Sequence, residues 1–218
     1  MTVPAPLPPR PPELPTRLER AEADDAFRDR RLEARELDGA DLEGRTLHGL
    51  RLRECRLRRV DLGSAFAAGL DAADVVVDAG SWANLGASEA TISRLEATGL
   101  RGTGVTLTES SLTDCSFADC RLDLALFRHA RLERVAFRDC RLDEADFYGA
   151  SFRSVLFQSC VLNGASVEGA TFERCEVRSS ELQDLAGVER LDGVRMPWPD
   201  VVQIAGLLAK ANGIEVVD

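Results

Sequence analysis

The sequence predicts a solenoid assembled from five-residue units, and three observations carry that prediction. A large apolar residue recurs at every fifth position, from Leu32 through Leu37, Leu42, Leu47, Leu52 and Leu57 to Leu62, and again from Leu107 to Leu182. Two positions before most of these stands a small residue, as at Ala40, Cys55, Ala65, Cys115, Cys120, Ala125 and Ala130. Third, Phe117, Phe137 and Phe157 recur at a spacing of twenty, as do Cys120, Cys140 and Cys160. Neither the helical period of about 3.6 nor the strand period of 2 generates such a series. A fixed short period marks a stack in which each unit buries its apolar side only against its neighbours.

The elements follow in order. Seven of the nine prolines fall within the first fifteen residues, and none lies between Pro15 and Pro197. Residues 1–26 therefore read as a flexible, polyproline-like leader, its charged end (16–26) suited to a short helix. The repeats occupy 27–195, and eight of the nine phenylalanines sit in their register, Phe66 excepted. Between residues 63 and 106 a displaced register fits better, through Leu70, Val75, Leu85, Leu95, Leu100 and Val105. The offsets predict two short bulging insertions, near 63–69 and 106–111, and a further irregularity around Asp78–Trp82.

A small residue, then Asp, then Leu or Phe, then two variable residues is the pattern of Ala40-Asp41-Leu42-Glu43-Gly44 and Ala145-Asp146-Phe147-Tyr148-Gly149. This pattern resembles the pentapeptide-repeat family, over roughly residues 27–186. The resemblance implies an all-β solenoid, a right-handed quadrilateral parallel β-helix with four pentapeptides per coil. About 31 units give seven to eight coils, a rod of about 35–38 Å at the usual spacing between strands.

An open solenoid end exposes unpaired backbone, and residues 196–218 are suited to close one. Pro199 and Asp200 fit the first turn of a helix over 200–212, with Gly213 at its end. Ile214 to Val217 read as a short strand. This tail is similar to the C-terminal module of the quinolone-resistance pentapeptide proteins, which implies a homodimer interface formed by Val201, Ile204, Leu208, Ile214 and Val216.

Composition narrows the function. The chain of 218 residues carries 37 acidic and 27 basic residues, a net charge of −10. That balance disfavours direct contact with nucleic acid or an acidic membrane, and the sequence has no apolar run of membrane-spanning length. All six cysteines lie in the small inward column, where they act as small hydrophobes in a reducing cytoplasm. His48, His129 and Tyr148 face outward on separate units; no metal, cofactor or catalytic constellation emerges, and the chain reads as non-enzymatic. Its C-terminal half is the more acidic, with net −7 in residues 107–218 against −3 before them. The resemblance implies one use for such a rod: imitation of duplex DNA on the DNA-binding surface of gyrase or another type II topoisomerase, modulating the enzyme or protecting it from inhibitors. The acids expected to matter are Asp114, Asp119, Asp123, Asp139, Asp143, Glu144 and Asp146. The alternative is a general protein-interaction scaffold whose partner the repeats do not specify.

Overall fold

The structure, a computed structural model, describes residues 3–217; Met1 and Thr2 of the leader and Asp218 of the C-terminal segment lie outside the described residues. The repeats wind into a parallel β-solenoid. Successive coils pair at an offset of twenty, as in Arg51↔Asp71, Thr91↔Ser111 and Arg131↔Ser151. Each coil carries four ladder segments. Two are strands, such as those within Ser111–Ala118, and two are single bridges, such as Arg121↔Arg141 and Leu126↔Asp146. With its short end rungs counted, the solenoid makes about nine turns.

Five-residue units form because one residue in each turns the corner with a left-handed backbone. Positive φ recurs at Asp74, Ala79, Asn84 and Glu89, and again at Asp114, Asp119, Leu124 and His129. Corner residues are polar or glycine in most units, the types that tolerate this conformation best. Between corners the chain sends two residues inward, the register residue and the one two places before it. The tube is filled by side chains alone. Phe117, Phe137 and Phe157 stack with ring centroids 5.1 Å apart at each step, and Phe127 on Phe147 at 4.9 Å. The twenty-residue recurrence of phenylalanine in the sequence is this column.

The expected insertions are absent. Bridges Asp61↔Ser81, Phe66↔Gly86, Gly86↔Thr106 and Thr106↔Leu126 keep the twenty-residue offset through both 63–69 and 106–111. What changes in the middle coils is which inward position holds the bulk. In several units the register residue becomes small (Ala72, Ala87, Ala97) while the one two places before it becomes large (Leu70, Leu85, Leu95), and all are buried. At these units large and small exchange places and the tube stays filled, as close packing requires. Trp82 keeps the ordinary order, large at the register position after the small Gly80: it is buried, 3% exposed, in a coil whose 61↔81↔101 bridging is regular.

Both ends are covered. Helix α1 (Ala23–Asp29) precedes the first full coil, which begins at Arg31, somewhat later than the boundary at 27. Asp25 accepts a hydrogen bond from the Glu22 N–H at its start, and Ala21 and Ala26 are buried against the tube. At the other end the expected single helix over 200–212 is two short ones, α2 (Trp198–Gln203) and α3 (Ala205–Ala211), broken at Ile204. Residues 214–217 are not a strand: they pair with no strand among the described residues, the last rung being Val194–Arg195, and the Ile214 N–H bonds the Ala209 carbonyl instead.

Candidate functional site

Three features of the outer surface bear on function: the nominated acids, a charged corner column under the N-terminal segment, and the apolar C-terminal end.

The acids fall into two groups. Asp119, Asp139 and Glu144 are exposed corner residues, and no ion pair reaches them among the described residues. The others are engaged. Asp123 sits between Arg121 (3.8 Å) and Arg141 (3.3 Å), Asp143 meets Arg141 at 3.0 Å, and Asp146 meets Arg128 at 3.6 Å while accepting the Tyr148 N–H. Burial, with Asp123 stacked one coil below, pushes the Asp143 carboxyl above the ordinary carboxylate value, against the pull of Arg141. The arginines explain the pattern: Arg101, Arg121 and Arg141 form a bridged column between the Asp119/Asp139 stack and the Asp123/Asp143 stack. The face is striped acid, base, acid. It is not a continuous anionic surface, because stacking identical coils places like charges one strand spacing apart, and an interleaved opposite charge relieves that repulsion.

Asp114 departs furthest from expectation. Its side chain is 1% exposed beneath Arg10 and Arg134, so with the leader seated it presents nothing to the acidic face. It belongs to a corner column in which sign alternates at twenty-residue steps: Asp74, Arg94, Asp114, Arg134. Arg134 grips Asp114 through Nε at 2.7 Å and Nη2 at 3.1 Å, and Arg94 pairs with both oxygens of Asp74. Burial alone would raise the Asp114 carboxyl; the Arg134 and Arg10 guanidinium groups outweigh it and hold the pKa well below the usual range. Asp74 is also held low, chiefly by Arg94.

The second partner of Asp114 comes from the leader. Residues 8–12, expected to hang free, lie on the rod against Leu95, Glu96, Ser116 and Arg138. Arg10 donates its backbone N–H (3.1 Å), Nε (2.8 Å) and Nη2 (2.6 Å) to the Asp114 carboxylate, and the Glu13 N–H donates to Asp74 Oδ1 at 3.0 Å. Buried carboxylates with open lone pairs draw donors out of solvent, which is why a segment without a core of its own settles here. The alternation along Asp74, Arg94, Asp114 and Arg134 was the signal in the sequence; Arg10 gave none.

At the C-terminal end the nominated apolar residues split. Ile204 is 1% exposed, and with Val201 and Leu208 it lines a pocket of about 330 Å³ against Val188, Leu191 and Val194, so these three plug the rod. Asp200, nominated only for its charge at a helix start, is 3% exposed and accepts the Ser179 N–H at 2.7 Å. It thereby satisfies a donor on the last coil for which no further strand exists. Ile214 and Val216 remain outside, 60% and 69% exposed, beside Val217, Val202 and Trp198, the last 76% exposed.

The remaining candidates are packing or surface. Each of the six cysteines is a buried free thiol donating toward a carbonyl one coil away, such as Cys140 to Phe117 O at 3.5 Å. Burial pushes Cys115 up to about 12. His129 is exposed, edge-on to Tyr148 with ring centroids 5.5 Å apart, and Arg128 lies over that ring; His48 is exposed. Among the described residues no group of three or more His, Cys, Asp or Glu side chains is arranged to hold a metal, and no helix is long and apolar enough to cross a membrane.

The family described as a pentapeptide repeat region matches residues 93–167 and 110–186. A trypsin-treated form of QnrB1, a plasmid-mediated fluoroquinolone resistance protein, is 19% identical, covering 86% of this chain and 90% of its own, at a TM-score of 0.41. HetL, a pentapeptide repeat protein involved in heterocyst differentiation regulation from the cyanobacterium Nostoc sp. strain PCC 7120, is 17% identical over 80% of this chain and 94% of its own, at 0.27. Rfr23, a pentapeptide repeat protein from the cyanobacterium Cyanothece 51142, is 14% identical over 80% and 92%, at 0.24. No curated protein matches the sequence. The chain carries a pentapeptide-repeat region, and its twenty-residue coils extend the same geometry back to Arg31.

Proposed function

We propose that this pentapeptide-repeat rod is a non-enzymatic protein-binding scaffold that pairs end to end with a second copy through its C-terminal segment. The observation that carries the reading is the run of exposed apolar side chains within the C-terminal segment: Trp198, Val202, Ile214, Val216 and Val217 are each more than half exposed. A patch of this kind on an otherwise charged rod marks an interaction surface. Residues 214–217, anchored where the Ile214 N–H bonds the Ala209 carbonyl at 2.9 Å, supply a segment with three apolar side chains that meets the same segment across a two-fold axis, where one patch meets its own copy. Of the five residues first nominated for the interface, Ile214 and Val216 make it, while Val201, Ile204 and Leu208 shape the surface from beneath. Light scattering on the purified protein at micromolar concentration tests this. A dimer is expected, and a Trp198→Ala, Ile214→Asp double variant is expected to be monomeric; a monomeric wild type overturns it.

A second reading names the partner class. Asp119, Asp139 and Glu144 make no ion pair among the described residues, within a chain of net charge −10. They suit a basic groove such as the DNA-binding surface of gyrase or a related type II topoisomerase. Against close imitation of DNA stands the Arg101, Arg121, Arg141 column, which duplex DNA, with one charge per about 1.7 Å, does not have. A supercoiling assay with added protein decides: inhibition, or relief of inhibitor-induced cleavage, that weakens in an Asp119→Asn, Asp139→Asn, Glu144→Gln variant supports it, and no effect at large molar excess ends it.

A further inference from the structure

The groove over the Asp74–Asp114 column has the features of a peptide site. Asp114 lies 1% exposed at its base, already paired with Arg134, yet its carboxylate also takes three donors from Arg10. Beside it, the seated Pro8, Pro9, Pro11 and Pro12 and the rod's Leu95, Glu96, Ser116 and Arg138 together wall a remaining space of about 280 Å³.

Spacing and chemistry match along the rod. Arg10 binds Asp114 and Glu13 binds Asp74, so three residues of the segment cross two coils. A polyproline II chain advances about 3.1 Å per residue, or roughly 9.3 Å in three. Two coils at strand spacing rise about 9.6 Å. The two periodicities coincide within a few tenths of an ångström, so an extended segment can run along the axis and meet every second coil in phase. The coil passed in between presents Arg94 at the corner, a residue that accepts no hydrogen bond. Opposite it the segment has Pro11 and Pro12, which have no N–H to offer. Donor, blank, blank, donor in the segment answers acceptor, arginine, acceptor in the column.

We infer that this groove is a binding site for an extended proline-rich segment bearing an arginine, with a backbone N–H three residues further on, and that the chain's own residues 8–13 are its occupant in cis. The site is exchangeable: the Arg10 side chain is 65% exposed although its carboxylate partner is buried, so a second segment of the same chemistry competes for Asp114 from solvent. The rod therefore carries, apart from its acidic face and its C-terminal end, a third surface that its own leader masks.

The test uses the full chain. In an Arg10→Glu variant the segment loses its anchor, and its charge is repelled by Asp114. The Glu13 amide, read by hydrogen exchange in NMR, is expected to exchange at least tenfold faster than in wild type, while the Phe137 amide is unchanged. A fluorescein-labelled synthetic peptide of residues 3–15, followed by anisotropy, is expected to bind the variant at least tenfold more tightly than wild type. The same peptide with Arg10→Ala, and one of scrambled order, are expected to lose that affinity. The inference is overturned if the Glu13 amide stays protected in the variant, if the released chain binds the peptide no better than wild type, or if the scrambled peptide binds equally well.

Discussion

Replacing Phe137 by alanine removes the centre of the aromatic column. Phe137 is 0% exposed, stacked on Phe117 and Phe157 with centroids 5.1 Å away on each side, and edge-on to Phe127 at 6.2 Å. Truncating a buried phenylalanine costs about 3–5 kcal/mol, the cavity included. Three aromatic neighbours at favourable geometry place Phe137→Ala at the upper end of that range, since each such pair adds about 0.5–1.5 kcal/mol beyond area burial. Coils contact only their neighbours, so the lost contacts fall on two interfaces, with no distant element to compensate. Phe137→Leu keeps most of the volume and is expected to cost about 1.5 kcal/mol. Phe66→Ala, at a site 56% exposed, is expected to stay within about 0.5 kcal/mol. Urea unfolding followed by far-ultraviolet circular dichroism measures all three from the midpoint shift and the slope. The packing argument fails if Phe137→Ala costs less than about 1 kcal/mol, or if Phe66→Ala costs as much.

Other consequences are equally direct. Gly80→Ala should destabilise by at least about 2 kcal/mol, because φ is +105° there and the new Cβ would fall 2.4 Å from the Val60 carbonyl oxygen; a neutral effect in the same unfolding assay would contradict the close coil approach. Asp200→Ala removes the buried carboxylate that accepts the Ser179 N–H and should cost about 1–3 kcal/mol, with Asp200→Asn largely restoring it; equal loss in both would mean that the charge matters instead. Asp74 and Asp114 have folded pKa values below the unfolded value near 3.9. Their contribution is therefore complete above that value and disappears as pH falls through the folded ones. The urea midpoint should drop on acidification below about pH 4, and less steeply in Asp114→Asn. The buried thiols, with Cys115 near 12, should resist a thiol reagent at pH 8 in the native state, while all six react in denaturant; stoichiometric native labelling would contradict their burial.

The solenoid was legible because its period belongs to one residue type after another: Leu32 to Leu62 and Leu107 to Leu182 announce the inward column without tertiary information. The middle coils misled for a physical reason. Packing constrains the sum of two inward side chains, not each one, so Leu70 beside Ala72 fills the tube as well as Ala125 beside Phe127. Tracking bulk alone turned that exchange into insertions that do not exist. Burial of Asp114 was invisible because its cover comes from Arg10, more than a hundred residues away, and proline content says that a segment is extended, not where it lies. The absence of a strand at 214–217 follows from pairing rather than propensity: these residues have the side chains of a strand and pair with no strand among the described residues.

The central claim is that one uninterrupted twenty-residue ladder runs through the middle of the rod, and native-state hydrogen exchange of its backbone amides tests it most directly. Ser64 and Ala67 donate to Ala83 and Gly86, and Thr106 and Leu107 donate to Leu85 and Leu126, at 2.7–2.9 Å. These amides should exchange as slowly as those of Arg121 and Arg141 in the regular coils. Rapid exchange confined to 63–69 and 106–111 would mean that loops interrupt the coils there, and the continuous ladder would have to be abandoned.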